Sequence, residues 1–509
     1  MSSQKLLTGS ALRLCALIVG MAISFLMMPF LIRSLGDHWY GLWILVASTL
    51  GFYGVFDFGL ASATERYISH GLGRQDDTRL NQIFSNSLFI YAFIALIAVT
   101  ISVSIALSSD FFFDKQEDSQ VFRTIILVMG CTFAIHFVMN AYNGILTAYL
   151  RFDIQASNDI FKAVFRALTV YFIFQYDPSV INLALITVLF DLISHFIILR
   201  AAKREAPWIA PSLSLVSKAN MAELANFGFH SLVMFIGKKL RDRGPLFAIA
   251  GALSIGTVTV FQIASQLIKY LFQLQTALLG VLLPSFTRLL GEGKTDELNH
   301  NYLFTLKVST LTASCLAGGM IALGQSFISF WIGPDYDAAY FTMVPLAIGY
   351  FCVLLHFPSF QLLVALAKHK NYARYEVIEG IALTGAAAGA ATLGGGLANV
   401  GLAMGTILVI GRLVLIPVLI KRAWGTPVIA VQVHIWKQLA LVIPAQIVLW
   451  YTLNQVDIQY GFLPSILMSI PMFGIYILLF HRAIFTKSER TTIQTMLGSY
   501  LIPARFRRK

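Results

Sequence analysis

The chain has 509 residues, 57% of them apolar and 12% charged, with 37 basic and 25 acidic side chains for a formal net charge of +12. An ordinary soluble domain carries about 25% charge, so there are too few charged groups here to cover a soluble globule, and disordered, nucleic-acid-scaffold and soluble catalytic classes are excluded. Apolar runs of about 20 residues recur from end to end and specify an all-α, polytopic integral membrane protein.

In chain order the runs fall near 11–32, 40–62, 84–108, 122–146, 156–176, 181–199 and 223–250, then 256–286, 302–331, 341–366, 375–393, 398–420, 433–453 and 462–484, which predicts about 14 transmembrane helices. The first run follows Lys5 and Arg13 and leads straight into further spans with no small-residue cleavage site, so it reads as a retained helix. The longest polar stretches, near 200–221 and after Thr486, are too short to build a core. Cys15, Cys131, Cys315 and Cys352 all fall in apolar runs without metal-ligand spacing, so neither a disulfide nor zinc is expected. No phosphate-cradling glycine loop occurs, so ATP hydrolysis, and any cofactor, is not expected.

Loop charge sets orientation. One set of loops holds Arg74, Arg79, Arg151, Arg200, Lys203, Arg204, Lys218, Arg288, Lys294, Lys368, Lys370, Arg374, Lys421 and Arg422. The alternate set holds Asp37, Asp110, Asp114, Glu117, Asp118, Asp177, Asp335, Asp337 and Asp457, with few cations. The bias alternates without a break, which puts both termini in the cytoplasm. The C-terminal Arg505, Arg507, Arg508 and Lys509 agree, and such a tail is also attracted to anionic headgroups.

An internal repeat is visible in two of the basic loops. Leu72-Gly73 and Leu80-Asn81 match Leu290-Gly291 and Leu298-Asn299 at an offset of 218 residues. Six spans separate the two points, so the halves are parallel repeats related by an axis along the membrane normal. The layout expected is an N-terminal six-helix lobe over 1–205, a C-terminal six-helix lobe over 206–425, two extra helices over 426–485 and a basic cytoplasmic tail over 486–509. Two similar bundles facing each other imply a central cavity and a carrier working by alternating access.

Charges inside the spans point to the cargo. A charged side chain at mid-bilayer costs about 2.5–3.5 kcal/mol on insertion scales. The seventh span carries Lys238, Lys239, Arg241, Asp242 and Arg243 in its central third, so its four cations alone would cost roughly 10–14 kcal/mol against lipid and must face water or a partner. A loop between re-entrant halves is the alternative, but it would reverse the charge bias of every later loop. A single helix is therefore expected, kinked beside Pro245. Lys162 and Arg166 share one face of the fifth span; Lys162 is near enough to the surface to snorkel, and Arg166 is expected near mid-span. The sixth span offers Asp191 at mid-depth with His195 one turn further on, and an Arg166–Asp191 pair that only holds two helices together is the structural alternative to a cargo contact. Lys269, central in the eighth span, is assigned to the cavity. Arg13 and Asp57 read as snorkelling or packing residues, and Arg412 stays open. His136, Asn140 and Asn143 share a face of the fourth span and read as interhelical hydrogen-bonding groups.

Buried charge is thus mostly positive and sits in both repeats, which implies an anionic cargo. Phosphate fits, since lysine and arginine bind it by point charge and by fork geometry. The candidate substrate-binding residues are Arg166, Lys162, Lys238, Lys239, Arg241, Arg243 and Lys269, and the candidate ion-coupling carboxylates are Asp191 and Asp242. No catalytic or metal site is expected, and the energy source is an ion gradient, the membrane potential or the cargo's own gradient.

Several segments carry a family resemblance: Met28-Pro29-Phe30 through Arg33, Leu35-Gly36 and Tyr40-Gly41-Leu42-Trp43; Asp57, Gly59-Leu60, Ala63 and Glu65-Arg66-Tyr67; Pro284; and Phe330-Trp331, Gly333 and Tyr336. In order and spacing they resemble the polysaccharide-transport flippases of the Wzx type, within the multidrug, oligosaccharidyl-lipid and polysaccharide exporter superfamily. The resemblance covers roughly residues 10–350; beyond that only hydropathy matches. It implies two six-helix lobes plus a two-helix extension in the bacterial inner membrane. It also implies movement of a polyprenyl-diphosphate-linked oligosaccharide, an O-antigen or exopolysaccharide repeat unit, from the cytoplasmic to the periplasmic leaflet. The implied partners are that lipid-linked anionic glycan, membrane lipids, and the glycan polymerase and chain-length proteins of the same pathway, with no nucleic acid. The seventh span is more cationic than the family generally shows. A cation-coupled multidrug exporter of the same superfamily would want acidic groups in the cavity, where here cations outnumber Asp57, Asp191 and Asp242. A membrane glycan polymerase or ligase would resemble proteins with a large basic periplasmic loop, whereas the longest such loop here, about 109–122, is acidic.

Overall fold

The computed structural model describes residues 3–57, 59–74, 76–207, 209–368, 370–425 and 428–491; the basic tail residues Arg505, Arg507, Arg508 and Lys509 lie outside them. Among the described residues the chain is helical, with no strand. The first half runs α1 (Ser3–Tyr53), α2 (Leu60–Arg74), α3 (Asp77–Leu107), α4 (Gln116–Ala148), α5 (Phe152–Ile173), α6 (Val180–Glu205) and α7 (Lys218–Ala252). Next come α8 (Ile255–Leu279), α9 (Leu282–Gly291), α10 (Thr295–Trp331), α11 (Asp337–Leu355) and α12 (Phe357–Ala365). The chain continues through α13 (Lys370–Thr392), α14 (Gly396–Ile410), a π-helical turn at Gly411–Leu415, α15 (Ile416–Trp424), α16 (Val428–Tyr460) and α17 (Phe462–Ile484).

Ten of the described segments are long and apolar enough to cross a membrane. The first of them holds two predicted spans, joined where Gly36 leaves helical geometry at φ +77°, a conformation that an L side chain resists. Helices α5, α7 and α13 are comparably long but carry charge, which is why apolarity alone does not single them out. The seventh predicted span is one helix, α7, continuous through Lys238–Arg243 and through Pro245.

The repeat read from two loops extends through the helices. Helix α3 begins at Asp77 and α10 at Thr295, 218 residues on; α5 begins at Phe152 and α13 at Lys370, the same interval. Each matched loop joins a short helix to a long one, α2 to α3 and α9 to α10, and each short helix follows an interrupted span.

Packing divides the chain into two compact units, 1–259 and 260–509. The core of the first gathers Leu42, Val46, Ile68, Phe84, Ile126 and Ile145, and that of the second Leu298, Tyr302, Leu306, Leu362, Ile420 and Ile435. Helix counting sets the lobe boundary at 205/206 and packing sets it at 259/260. The two differ over α7, which packs against α1, α2 and α3. Helices α16 and α17 join the second unit through Val442, Tyr476 and Phe480, with Phe304 and Leu311 of α10 against them. The start of the expected tail is not free, because Lys307 Nζ pairs with the buried Glu489 at 2.8 Å.

The polar linker 206–217 is fastened to the start of α3. Asn86, fully buried, donates to the Leu215 carbonyl at 3.0 Å and accepts from the Ser217 amide at 2.9 Å. Asn81 accepts from the Ala210 amide, Ser85 accepts from the Ser212 amide, and Arg79 donates to Asn220 at 2.7 Å. Asn86→Ala strands two backbone groups, each costing about 1–3 kcal/mol when buried. It is expected to lower the unfolding temperature and to speed tryptic cleavage at Lys203, Arg204 or Lys218. Unchanged cleavage and melting would show that the linker is held by something else.

Candidate functional site

Helices α4, α5 and α6 of the first unit surround a cavity of about 170 Å³. Its polar lining is Thr132 and His136 from α4, Lys162 from α5, and Asp191 and His195 from α6; Leu50 of α1 closes one wall. Asn158 donates to Ser194 at 2.6 Å and fixes α5 against α6 one turn away. Lys162 Nζ stands 3.4 Å from Asp191 Oδ1, both about one-third exposed. The His136 and His195 rings lie 5.3 Å apart, centroid to centroid. His195 Nε2 is buried with no hydrogen-bond partner among the described residues.

Among the described residues Asp191 pairs with Lys162 and not with Arg166, so the structural alternative of an Arg166–Asp191 pair is not formed. Lys162 takes the carboxylate, and Arg166, one turn on, lies half-buried outside the cavity lining, with no ion pair or hydrogen bond among the described residues. Lys162 therefore does not snorkel away. His136, read from its face as an interhelical hydrogen-bonding group, lines the cavity; its signal was the second histidine, His195, placed one helical turn from Asp191.

The α7 charges meet the other side of α1. Arg243 donates to the buried Ser48 at 3.3 Å. Both Arg243 Nε and Lys239 Nζ lie against Gly51, where a Cβ would come within 4.0 Å of each, and Lys239 Nζ lies 5.1 Å over the Phe235 ring. Arg241, buried, donates to the exposed Asp242 at 3.1 Å. Lys238 is exposed. Next to these cations an apolar groove of about 540 Å³ is lined by Phe52 and Phe56, Ile101 and Ile105 of α3, and Ile236 and Leu240 of α7. The end of α1 and the turn after it, residues 48–56, thus border the cavity through Leu50, the α7 cations through Ser48 and Gly51, and the groove through Phe52 and Phe56.

The remaining charges sort differently. Lys269 is exposed on α8 in the second unit. Asp57 accepts from Tyr91 at 2.8 Å and the Arg13 guanidinium stacks 3.6 Å over Phe152, both packing roles. Arg412, 2% exposed, pairs with Glu379, 1% exposed, at 2.6 Å and donates to Tyr372 at 2.7 Å. Outside the spans, Lys294 and Arg288 hold the Glu292 carboxyl down at about 2.

Apolar helices of membrane length with ionisable side chains gathered on a few facing turns define a multi-pass membrane protein. The fold agrees: the chain superposes on a lipid II flippase MurJ in an inward closed conformation with TM-score 0.72 at 13% identity, covering 93% of this chain and 99% of that one. It also superposes on an inward-facing multidrug resistance MATE family transporter of the MOP superfamily, with TM-score 0.65 at 16% identity over 80% and 99%. Residues 6–290 match the family described as polysaccharide biosynthesis protein, and the chain belongs to that family. An uncharacterized membrane protein, EpsK of Bacillus subtilis (strain 168), is 23% identical over 425 residues, 81% of this chain and 82% of that protein.

Single cysteines at the α7 charges, on a background lacking the four native ones, test which groups meet water. Lys238→Cys and Asp242→Cys are expected to react with a water-soluble thiol reagent, and Arg241→Cys about tenfold more slowly, because thiol reactivity follows access. Equal protection at all three would place the segment in lipid or in a sealed core.

Proposed function

We propose that this chain is a flippase that moves a polyprenyl-diphosphate-linked oligosaccharide, an O-antigen or exopolysaccharide repeat unit, from the cytoplasmic to the periplasmic leaflet of the bacterial inner membrane. The observation that carries this reading is α7, one unbroken helix with four cations and one acid in its middle, beside an apolar groove. A lipid-linked diphosphate is an anionic head on a long apolar tail. The head needs a polar route past hydrocarbon and the tail does not. Family membership supports a role in polysaccharide assembly, and the fold is shared with proteins named as a flippase and as transporters.

In this reading Lys239 and Arg243, on the wall of α1, and the exposed Lys238 bind the diphosphate during passage. Arg241 and Asp242 hold each other; Arg166 of the first unit and Lys269 of the second stay candidate anion contacts, each within its own unit. Binding must replace lost hydration yet allow release, so the cationic face opens to one side of the membrane at a time. Asp191 is the better placed of the two candidate coupling carboxylates. It borders a small cavity together with Lys162 and two imidazoles. The glycan polymerase and chain-length proteins of the pathway are the partners that receive the product.

Reconstitution in liposomes tests the proposal. Flipping of a lipid-linked oligosaccharide diphosphate is expected from the wild type, and a loss of tenfold or more, about 1.4 kcal/mol, from Lys239→Ala with Arg243→Ala. An inside-negative potential should speed outward movement when the protein is in its native orientation, since each negative charge gains about 2.3 kcal/mol per 100 mV. Efflux of a cationic dye without flipping would favour a cation-coupled exporter, and glycan bond formation a polymerase.

A further inference from the structure

A second cavity, of about 280 Å³, lies in the second unit where α12 and α15 end and α13 begins. Lys368, Lys370 and Arg422 line it, with Asn371 and Tyr372; apolar wall comes from side chains such as Leu363 and Leu419, and none of the lining residues is acidic. Lys368 is committed, donating to the Ala423 carbonyl at 2.8 Å. Lys370 and Arg422 are exposed, and neither has an ion-pair or hydrogen-bond partner among the described residues. The α9–α10 loop answers the same problem from within: Arg288 and Lys294 close on Glu292 at 2.7 and 2.8 Å. Among the described residues that line this cavity there is no such acid.

Its backbone adds to the field. Lys370, Asn371 and Tyr372 are the first three residues of α13, so their amides lack intrahelical acceptors and the positive end of the helix dipole points outward. Lysine is the wrong charge for that end unless an anion lies between. Tyr372 is pinned by the bond from the buried Arg412, so this wall is set before anything binds. Preorganised amides with lysine and arginine suit tetrahedral oxyanions, while the leucine wall suits hydrocarbon. Loop charge assigns this end of the unit to the cytoplasm.

We propose that this cavity binds the phosphate headgroup of an anionic lipid of the cytoplasmic leaflet. Lys370 and Arg422 contact the phosphate oxygens, the α13 amides face it, and Leu363 and Leu419 meet the glycerol and the first methylenes. A soluble phosphate offers the same oxyanion without the apolar part, and the test separates the two sources. The site belongs to the second unit and the α7 cations to the first, and it does not depend on the flippase reading.

The experiment uses the full chain in detergent, with lipid retention read by native mass spectrometry during titration with phosphatidylglycerol or with phosphatidylcholine. The wild type is expected to retain phosphatidylglycerol preferentially. Lys370→Ala with Arg422→Ala should weaken this retention about 30-fold, on the usual worth of a cation at a membrane surface. Both residues are exposed, so folding should survive. Lys370→Arg with Arg422→Lys should keep retention, and Arg288→Ala with Lys294→Ala should not alter it. Equal retention by the alanine double variant overturns the proposal. So does full displacement of phosphatidylglycerol by millimolar inorganic phosphate, which would mark a site for a soluble anion. Flipping is measured separately with the same variants, so failure of one proposal does not entail failure of the other.

Discussion

The free-energy cost of an ionised group in hydrocarbon organises this protein. Each charge at membrane depth needs an answer, and most answers are local. Asp57 takes a proton donor from Tyr91, Arg412 takes Glu379, Lys162 takes Asp191, and Lys307 takes Glu489. A sealed pair such as Arg412–Glu379 adds little stability over well-packed apolar side chains, yet losing one partner costs about 3–5 kcal/mol, so it holds its helices in register. The middle of α7 is the densest case, with four cations and one carboxylate within six residues, and there the answers include Ser48 for Arg243, Asp242 for Arg241 and the Phe235 ring for Lys239.

Much of this was legible in the sequence because lipid imposes a simple code. The continuity of α7 followed from loop charge, since a loop there would have inverted every later loop. The repeat followed from four matched residues and is carried through by helix starts 218 residues apart. The partner of Asp191 was not legible. Lys162 and Arg166 share a helix face, and which of them meets a carboxylate on the next helix depends on the axial offset between helices, which no single-helix pattern encodes. Likewise nothing around Glu489 says that a chain past the last span returns to Lys307.

The π-helical turn at Gly411–Leu415 is another feature that periodicity hides. One extra residue in a turn shifts everything beyond it around the axis, and here the shift falls at Arg412. Gly411 is part of the same arrangement, since a Cβ there would come within 2.4 Å of the Tyr375 hydroxyl. A glycine and a widened turn together let a guanidinium sit fully buried between two tyrosines and a glutamate.

The two repeats then show how one scaffold was given two electrostatic characters. At the 218-residue offset Glu379 answers to Phe161, beside Lys162, and Arg412 to Ser194, one turn from Asp191. Both units therefore place an ion pair where the fifth helix of the repeat meets the sixth, with the signs exchanged. In the first unit the cation is on the earlier helix, the pair stands 3.4 Å apart, and it borders a cavity with two imidazoles. In the second the anion is on the earlier helix, the pair closes to 2.6 Å, and both partners are sealed from solvent. A sealed pair cannot exchange a proton or admit an ion without opening the helices. A loose pair beside a cavity can, because water or a proton reaches it while the fold stays intact. The first unit thus keeps its pair beside a cavity, where water can reach it, and the second keeps its pair sealed, so the same helix junction is open in one repeat and closed in the other.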